Sequence, residues 1–338
     1  MVSFRKLPYI DEAWTYATSS ARLSEICRAG PKLRGAIRDS GTLLRHQTFD
    51  IALFPYPAKY AFQGACTLPF PFAFLTNRAI FAEYLDLEGE KRRIIINPST
   101  PEGARRAPFF AQLLQKIPKW SEPLLSRQYR PLEEQLRNAG IEPETIDYIT
   151  FDHLHVQQLT TLLGPNGLFS KASLLVTANE YNAARRTHPL QKHWYVEDAF
   201  RDVPQENIKT FEHDLLLGEG LALVRTPGHT EGNHSICLHT LHGLYTVSEN
   251  GVCLDSYCPR RSSIPGLVDY AERRDIDFVL NANTLERSLD QYASMKLESI
   301  ISAPASPDGF PLHFSSSELT PFYLAPTLEP TETIGKLL

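Results

Sequence analysis

The sequence lacks the cysteine spacings that mark disulfide-rich or zinc-knuckle proteins. Its 338 residues include five cysteines, an odd number, and no C-x-x-C pair is present. The odd count argues against a disulfide framework, and the missing pair argues against a structural zinc knuckle. We therefore expect most of the cysteines to be small buried hydrophobic residues. Cys253 and Cys258 leave thiol chemistry open as an alternative.

Excess positive charge and a long apolar run are also absent. The chain has 34 Lys and Arg against 39 Asp and Glu, a net charge of -5, which gives no indication of a nucleic-acid partner. The longest uncharged run, residues 60–77, contains Pro69 and Pro71 and is a poor membrane span. Asp11 and Glu12 stand where an export signal needs an apolar core. We expect a cytoplasmic protein with no membrane or nucleic-acid partner.

The composition, with 42% hydrophobic and 22% charged residues, is that of a globular protein, and the length suits one main domain with additions. Residues 1–48 are predicted to be an N-terminal helical extension, whose periodic stretch should end at Gly30 and Pro31. Residues 49–310 form the predicted main domain. Residues 311–338, rich in Pro, Ser and Thr, form a tail predicted to be partly disordered. The extension and the apolar run could cover a cleft or form a homodimer contact.

Short β-like runs alternate with helical stretches through the main domain. "SICLHT" and "LYTVSE" predict a hairpin around residues 241–243, and "ESIISA", residues 298–303, predicts a final strand. Sheets flanked by helices on their outer faces form a layered α/β architecture.

Two segments contain histidines in arrangements that suit a metal site. "FDHLHVQQL", residues 151–159, places His153 and His155 on one face of an extended segment, because side chains at i and i+2 of a strand point the same way. With 11 histidines in the chain, such a pair also arises by chance. In "VRTPGHTEG", Pro227 and Gly228 form a tight turn that presents His229 from a fixed backbone.

The strand before the histidine pair, the strand and helix after it and the Thr-Pro-Gly-His turn resemble the metallo-β-lactamase superfamily over roughly residues 50–310. Within that family, "ASLLVTANEYNAA" and "TPGHTEG" are similar to the acyl-homoserine lactonase branch. The resemblance implies a four-layer αββα sandwich, in which two sheets lie between helices and loops at one edge hold one or two metal ions.

The resemblance also implies a ligand set, of which one half is intact. The family's first motif reads His-x-His-x-Asp-His, and its two first histidines bind the first metal together with the histidine of the turn. Carried onto this chain, those ligands are His153, His155 and His229. Gln157 and Gln158 stand where the family has Asp and His.

The rest of the second set is also altered. Ala303 or Pro304 stands where the family has its last histidine, and Glu249 stands in place of the aspartate that bridges the two ions. A glutamine amide is a neutral, weak ligand, so we expect one divalent metal, zinc, with iron or manganese as alternatives. A face of His153, His229 and Glu249 would instead suit Fe(II) and oxygen chemistry.

Three neutral imidazoles and a water form a complete catalytic zinc set, and the bound water reaches a pKa of about 7. Gln157 cannot accept a proton from that water, so another base is required. Glu249 is the first candidate for this catalytic role, and Asp255 is a second carboxylate that could replace it. Asp152 could orient an imidazole from behind.

Two hypotheses follow from these residues. The first is a mononuclear metal-dependent hydrolase of an ester, lactone or thioester. The second is a non-catalytic, degenerate member of the fold that binds a small molecule or a protein partner. His234, His239 and His242 are interpreted as structural or solvated under both hypotheses.

Overall fold

The computed structural model of the protein describes residues 4–116, 118–283, 287–303 and 309–337. Pro304, one of two positions predicted to replace the family's last histidine, lies outside these ranges. Within them, no helix is long and apolar enough to span a membrane. The α-helices are α1 (Ser19–Arg38), α2 (Ala58–Ala61), α3 (Pro101–Ala104), α4 (Pro108–Lys116), α5 (Glu122–Leu125), α6 (Leu132–Asn138), α7 (Thr160–Leu163), α8 (Ala178–Arg185), α9 (Leu254–Tyr257), α10 (Leu267–Arg274) and α11 (Ser288–Ile301).

The strands of the described residues form two mixed sheets. They are β1 (Arg5–Lys6), β2 (Arg45–Pro57), β3 (Phe72–Leu85), β4 (Lys91–Ile96), β5 (Arg127–Gln128), β6 (Tyr148–Thr150), β7 (Ser173–Thr177), β8 (Ile208–Phe211), β9 (Leu215–Gly218), β10 (Leu221–Arg225), β11 (His234–Thr240), β12 (Gly243–Ser248), β13 (His313–Ser315) and β14 (Ser317–Leu319). One sheet has the order β1-β9-β10-β11-β12-β13, and the other has the order β5-β2-β3-β4-β6-β7-β8, with β14 paired to β3. The predicted hairpin is confirmed, since β11 and β12 pair through residues 236–247.

The two sheets pack face to face because their strands alternate between two apolar faces. In β3, Ile80, Ala82 and Tyr84 face the other sheet, while Ala79 and Phe81 belong to the cluster under the outer helices. This period of two is the expected pattern for a strand with both faces buried. The space between the sheets is therefore a continuous hydrophobic core.

Helices cover the outer face of each sheet. Helices α1 and α11 pack against the first sheet through residues such as Leu33 and Leu297, which contact the cluster around Val224. Helices α7 and α8 cover the second sheet, for example through Leu163 and Tyr181. The layers run helix, sheet, sheet, helix, which confirms the predicted αββα architecture.

The prediction that the first helix ends at Gly30 and Pro31 is wrong, because α1 continues to Arg38. A proline inside a helix costs about 3 kcal/mol. The turns beyond it bury Leu33 and Ile37, each contributing about 1.5–3 kcal/mol, which offsets that cost. Strand β1 pairs with β9, so residues before α1 also join a sheet. The division of the chain into residues 1–48, 49–310 and 311–338 stays a prediction.

The prediction of a final strand in the C-terminal part is wrong. Residues 298–301 of the predicted final strand belong to α11, because Ala293, Leu297 and Ile301 continue a helical stripe at intervals of four. The tail predicted to be partly disordered contains β13, which pairs in parallel with β12, and β14. Phe314 of β13 is fully buried between the sheets, and this burial explains why the segment is ordered.

Candidate metal centre

The candidate centre lies where loops leave the ends of neighbouring strands. His153 and His155 come just after β6, in a loop rather than on the extended strand that the sequence predicted. His229 follows β10 in the other sheet. Strand ends are the usual place for functional loops, because the sheets fix the backbone from which the loops start.

The fold brings the three histidines together. The ring centroids of His153 and His155 are 4.8 Å apart, those of His153 and His229 are 4.6 Å apart, and those of His155 and His229 are 5.2 Å apart. One nitrogen from each ring lies within 4.8 Å of the other two, and all three residues are buried. This spacing suits three imidazoles that share one ion.

Asp152 holds the ring of His153. Its carboxylate Oδ2 lies 3.2 Å from Nδ1 of His153, and the orienting role that the sequence suggested for Asp152 stays a prediction. Its backbone is fixed as well, since its N–H donates to Asn97 and its carbonyl accepts from His234. Burial alone would raise the pKa of Asp152, but the neighbouring His153 brings that pKa below its usual value. Burial likewise lowers the pKa of His153, and Asp152 more than reverses the effect.

His155 has no hydrogen-bond partner at either ring nitrogen among the described residues. The rings of Tyr195 and Trp194 lie beside it, with centroids 4.8 and 5.9 Å away. Burial first, and then the two neighbouring histidines, lower its pKa well below the usual value, so the ring is neutral. Buried nitrogens without partners are costly, and a metal ion would supply the missing partner.

The turn before His229 requires glycine. Gly228 has φ +152°, and a Cβ atom there would lie 2.2 Å from the backbone of Gln291. The turn sets the backbone of His229, whose N–H donates to Oδ1 of Asn250 at 3.3 Å. Its Nδ1 lies 3.4 Å from the carbonyl oxygen of Asn281. Burial lowers the pKa of His229 to about 3, which leaves a neutral imidazole able to bind a cation.

A divalent metal fits this donor set. Two of the three imidazoles have an oxygen partner at Nδ1, the carboxylate of Asp152 for one and the carbonyl of Asn281 for the other. An oxygen partner at one ring nitrogen leaves the other nitrogen for a metal, which is the usual arrangement of zinc-binding histidines. In the third, His155, neither ring nitrogen has a hydrogen-bond partner within the part of the chain that the structure describes.

Glu249, predicted to be both a metal ligand and a catalytic base, lies in the same cavity as the histidines. Its Oε2 accepts a hydrogen bond from the N–H of Ser317 at 2.7 Å. Its burial raises the pKa of the carboxyl well above the usual value. In the described part of the chain, the group able to share one ion comprises the three histidines and does not include Glu249. Its roles stay predictions.

Asp255, the second predicted catalytic carboxylate, does not lie at the site. Its Oδ1 accepts from the hydroxyl of Ser262 at 2.6 Å, and its Oδ2 accepts from the N–H of Thr331 at 3.0 Å. The hydroxyl of Thr331 donates to it as well. Asp255 is in the first turn of α9 and connects that turn to the C-terminal segment. Its carboxylate is therefore committed to structural contacts, and it is not among the residues that line the cavity.

Gln157 and Gln158 are both buried, and the side-chain oxygen of each lacks a hydrogen-bond partner in the described ranges. Gln157 lines the cavity. Val156 precedes them with φ +57°, an uncommon conformation for a β-branched residue. Its N–H donates to the carbonyl of Trp194 at 2.8 Å, which helps to hold the bend.

The sequence resemblance placed the family's last histidine at Ala303, after a predicted final strand. In the structure Ala303 instead follows helix α11, so this position is not at the end of a strand. The last strand of its sheet is β13, and Ser316 comes directly after it. Ser316 lines the cavity and accepts a hydrogen bond from the side chain of Asn97 at 3.0 Å. His313, on β13 itself, is buried with Nδ1 3.0 Å from the hydroxyl of Thr246. A hydroxyl therefore stands at this end of the cavity.

The cavity that contains the histidines has a largely apolar wall, which the sequence analysis did not identify. The segment "PFFAQLL" of α4 gave the available signal, since its apolar residues recur at helical spacing. Polar side chains also line the cavity, among them Asn77, Arg127 and Gln128. The apolar side chains come from β2, β3, α4, α5 and the loop after α8: Leu53, Phe54, Leu75, Phe110, Leu113, Leu114, Leu125 and Trp194.

The curated relatives of this chain match it over part of their length. An N-acyl homoserine lactonase from a Bacillus species is 30% identical over 158 residues, which are 46% of this chain and 56% of the relative. An N-acyl homoserine lactonase from Bacillus cereus is 32% identical over 107 residues, 31% of this chain and 38% of the relative. The chain thus spans about half, or less, of the relatives it matches. No family model matches the chain.

Several solved structures share the fold. A quorum-quenching N-acyl homoserine lactone lactonase aligns with a TM-score of 0.53 over 83% of this chain and 94% of its own, at 16% identity. A dizinc quorum-quenching lactonase aligns with a TM-score of 0.53 over 82% and 89%, at 12% identity. A probable metal-dependent hydrolase from Staphylococcus aureus gives 0.53 over 76% and 83%, at 11% identity. At such identities the likeness establishes the fold.

Proposed function

This chain has the metallo-β-lactamase fold, as its sequence resemblance predicted, and from that premise we propose that it is a hydrolase that opens an acylated lactone. The proposed cofactor is a single divalent ion, zinc, bound by His153, His155 and His229. The observation that carries the proposal is the placement of three buried imidazoles in a cavity with an apolar wall. The names of the curated relatives, all N-acyl homoserine lactonases, support the choice of a lactone.

The side chains around the histidines prepare them for a cation. Asp152 holds Nδ1 of His153, and the carbonyl of Asn281 faces Nδ1 of His229. A zinc ion held by these three imidazoles would lower the pKa of a bound water to about 7 and would so supply hydroxide at neutral pH. Gln157 and Gln158 offer neutral amides where a second ion would need stronger ligands, which supports a single ion.

The apolar wall suits the acyl chain of such a substrate. Phe54, Phe110 and Leu113 lie in the same cavity as the histidines. Each methylene that an acyl chain buries against such a wall contributes about 0.8 kcal/mol. The ratio kcat/KM should therefore rise with chain length until the wall is filled. Asn77 and Arg127 supply hydrogen-bond donors for the polar part of the substrate.

Glu249 is the proposed proton carrier of the reaction. It lines the cavity, and its burial favours the protonated acid. A positive charge in the cavity would favour the carboxylate instead. As a carboxylate, Glu249 takes a proton from the attacking water, and as an acid it returns that proton to the leaving alkoxide.

Elemental analysis of the untagged protein, combined with a lactonase assay, tests the proposal. We expect about one zinc per chain, the number that three imidazoles can hold. His153→Ala/His229→Ala should remove both the metal and the hydrolysis of N-acyl homoserine lactones. His239→Ala is the matched control. His239 lies on the β11–β12 hairpin, away from the cavity, and its Nδ1 contacts the carbonyl oxygen of Gly41. This variant should keep both the metal and the hydrolysis.

The assay should include simple esters and thioesters beside a series of lactones with increasing acyl length. If the protein hydrolyses esters but no lactone, the substrate class is an ester and not a lactone. If the wild-type chain contains no metal and hydrolyses none of these substrates, the proposal is contradicted. That result would support the alternative of a non-catalytic binding protein.

A further inference from the structure

A single buried carboxylate, that of Glu180 near the start of α8, contacts both loops that carry the candidate ligands. Glu180 is fully buried. Its Oε1 accepts a hydrogen bond at 2.8 Å from the N–H of Leu154, the residue between the first two histidines. Its Oε2 accepts one at 2.6 Å from the hydroxyl of Thr230, the residue after His229. One side chain therefore joins the two loops.

The same carboxylate also fixes the aromatic side chain beside the cluster. Oε1 of Glu180 accepts a third hydrogen bond, at 2.9 Å, from the hydroxyl of Tyr195. The ring of Tyr195 meets His155 edge to face, with centroids 4.8 Å apart. His155 lacks hydrogen-bond partners among the described residues, so ring contacts of this kind are what orient it.

The backbone around Glu180 is pressed closely against the second loop. A Cβ atom at Gly232 would lie 2.1 Å from the backbone nitrogen of Glu180, so only glycine allows this approach. The hydroxyl of Thr177 donates to the carbonyl of Gly232 at 2.6 Å and accepts from the N–H of Glu180 at 3.2 Å. The carboxylate is thus held by a rigid surround and cannot easily turn away.

We propose that Glu180 is a positioning residue of the candidate metal centre. It keeps residues 152–156 and 229–233 at the spacing at which three imidazoles face one ion. The inference rests on the proposed function, since it takes a metal as the ligand of the histidines. Residues that hold metal ligands from behind typically contribute about 10- to 100-fold to metal affinity.

The test is the zinc affinity of the full-length, metal-stripped chain, measured by competition with a chromophoric chelator. Glu180→Ala should lower the affinity about 10- to 100-fold. Glu180→Gln keeps an oxygen that can accept from Leu154 and Tyr195, so its affinity should fall between wild type and alanine. The unfolding midpoint of each metal-free variant is measured beside it, to separate positioning from general stability.

Asp214→Asn is the matched control. Asp214 is another fully buried carboxylate, but its Oδ1 accepts from the backbone and side chain of Arg225, outside the two histidine loops. This variant should lose stability and keep the zinc affinity of the wild type. Should Glu180→Ala fail to fold, Thr230→Val removes one of the three hydrogen bonds and should lower the affinity about five-fold.

Wild-type affinity in Glu180→Ala, or in both Glu180→Gln and Thr230→Val, would overturn the inference. An equal loss of affinity in Asp214→Asn would overturn it too, because the effect would then be general destabilisation. Tight zinc binding that depends on Glu180, without hydrolysis of any lactone, would contradict only the proposed function. Hydrolysis of lactones with unchanged zinc affinity in Glu180→Ala would contradict only the role of Glu180.

Discussion

The cavity has two sides that differ in the chemistry of their side chains. One side presents three imidazoles, with a carboxylate and a carbonyl behind two of them. The other side presents the amide of Gln157 and the hydroxyl of Ser316, and the neighbouring Gln158 is buried. Amides and hydroxyls are weak ligands for zinc, whereas neutral imidazoles are strong ones. The backbone of the fold can therefore be kept around the whole cavity while only one side has side chains that suit a zinc ion.

Restoring the second set of ligands should produce the largest change. Gln157→Asp combined with Gln158→His places a carboxylate and an imidazole on the weak side. We expect the zinc content to rise from about one toward two per chain, because both new groups are good zinc ligands. Elemental analysis after dialysis measures it. A content that stays at one would mean that these two side chains are not sufficient to hold a second ion.

Weakening the strong side should have the next largest effect. Asp152→Asn removes the negative charge next to Nδ1 of His153 while the shape is kept. We expect the zinc affinity to fall about 10- to 100-fold, since the carboxylate strengthens the imidazole as a ligand. Chelator competition measures the affinity. An unchanged value would show that the ring is positioned by packing alone.

Acid should destabilise the metal-free chain through a buried histidine outside the cluster. Burial lowers the pKa of His313 to about 3, against about 6.5 in an unfolded chain. Below pH 6.5 the unfolded state takes up a proton that the native state does not bind. Stability should therefore be lost as the pH falls from about 6.5 toward 3, by up to about 1.4 kcal/mol per pH unit for this group.

Urea unfolding of the metal-free chain between pH 7.5 and 5 measures this effect, in wild type and in His313→Gln. In the variant, the free energy of unfolding should change less steeply with pH, by an amount that corresponds to about one proton. His242→Gln, at an exposed position of the hairpin, is the control and should keep the wild-type slope. Identical slopes in all three chains would assign the acid sensitivity to other groups.

The smallest effect on activity is expected for Asp255, and it sharpens the contrast with Glu249. Asp255→Asn disturbs hydrogen bonds with Ser262 and Thr331 away from the cavity. We expect kcat/KM to be unchanged and the free energy of unfolding to fall by about 1–3 kcal/mol. Glu249→Gln should instead lower kcat, because Glu249 is the proposed proton carrier. Steady-state kinetics and urea unfolding separate the two, and a loss of kcat in Asp255→Asn would contradict the assignment.

The three candidate ligand histidines could be found from the sequence because each has a local signal. The pair is separated by one residue, and the turn before His229 contains the Pro-Gly that forces its shape. Asp255 was predicted to lie at the site because it is close to Glu249 along the chain. A sequence gives that closeness but not the direction in which a side chain points. The final strand was misplaced for a similar reason, since "ESIISA" suits a strand and becomes helical by continuing the buried stripe of α11.

The apolar wall and Glu180 could not be found in this way. The wall combines side chains from five separate parts of the chain, and no one of those parts is unusual. Glu180 is one of many acidic residues in the sequence, and its importance depends on Leu154, Tyr195 and Thr230, which lie 15 to 50 residues away along the chain.

The sequence by itself determined the layered fold, the three imidazoles and the substitution of the second ligand set. Local spacing and residue type are sufficient for these, because alternation specifies strands and the chemistry of a side chain specifies what it can bind. Tertiary structure alone decided which carboxylate faces the cavity and which is committed elsewhere. It also decided that neither ring nitrogen of His155 has a hydrogen-bond partner among the described residues, because burial and the distances between loops depend on how the two sheets pack together.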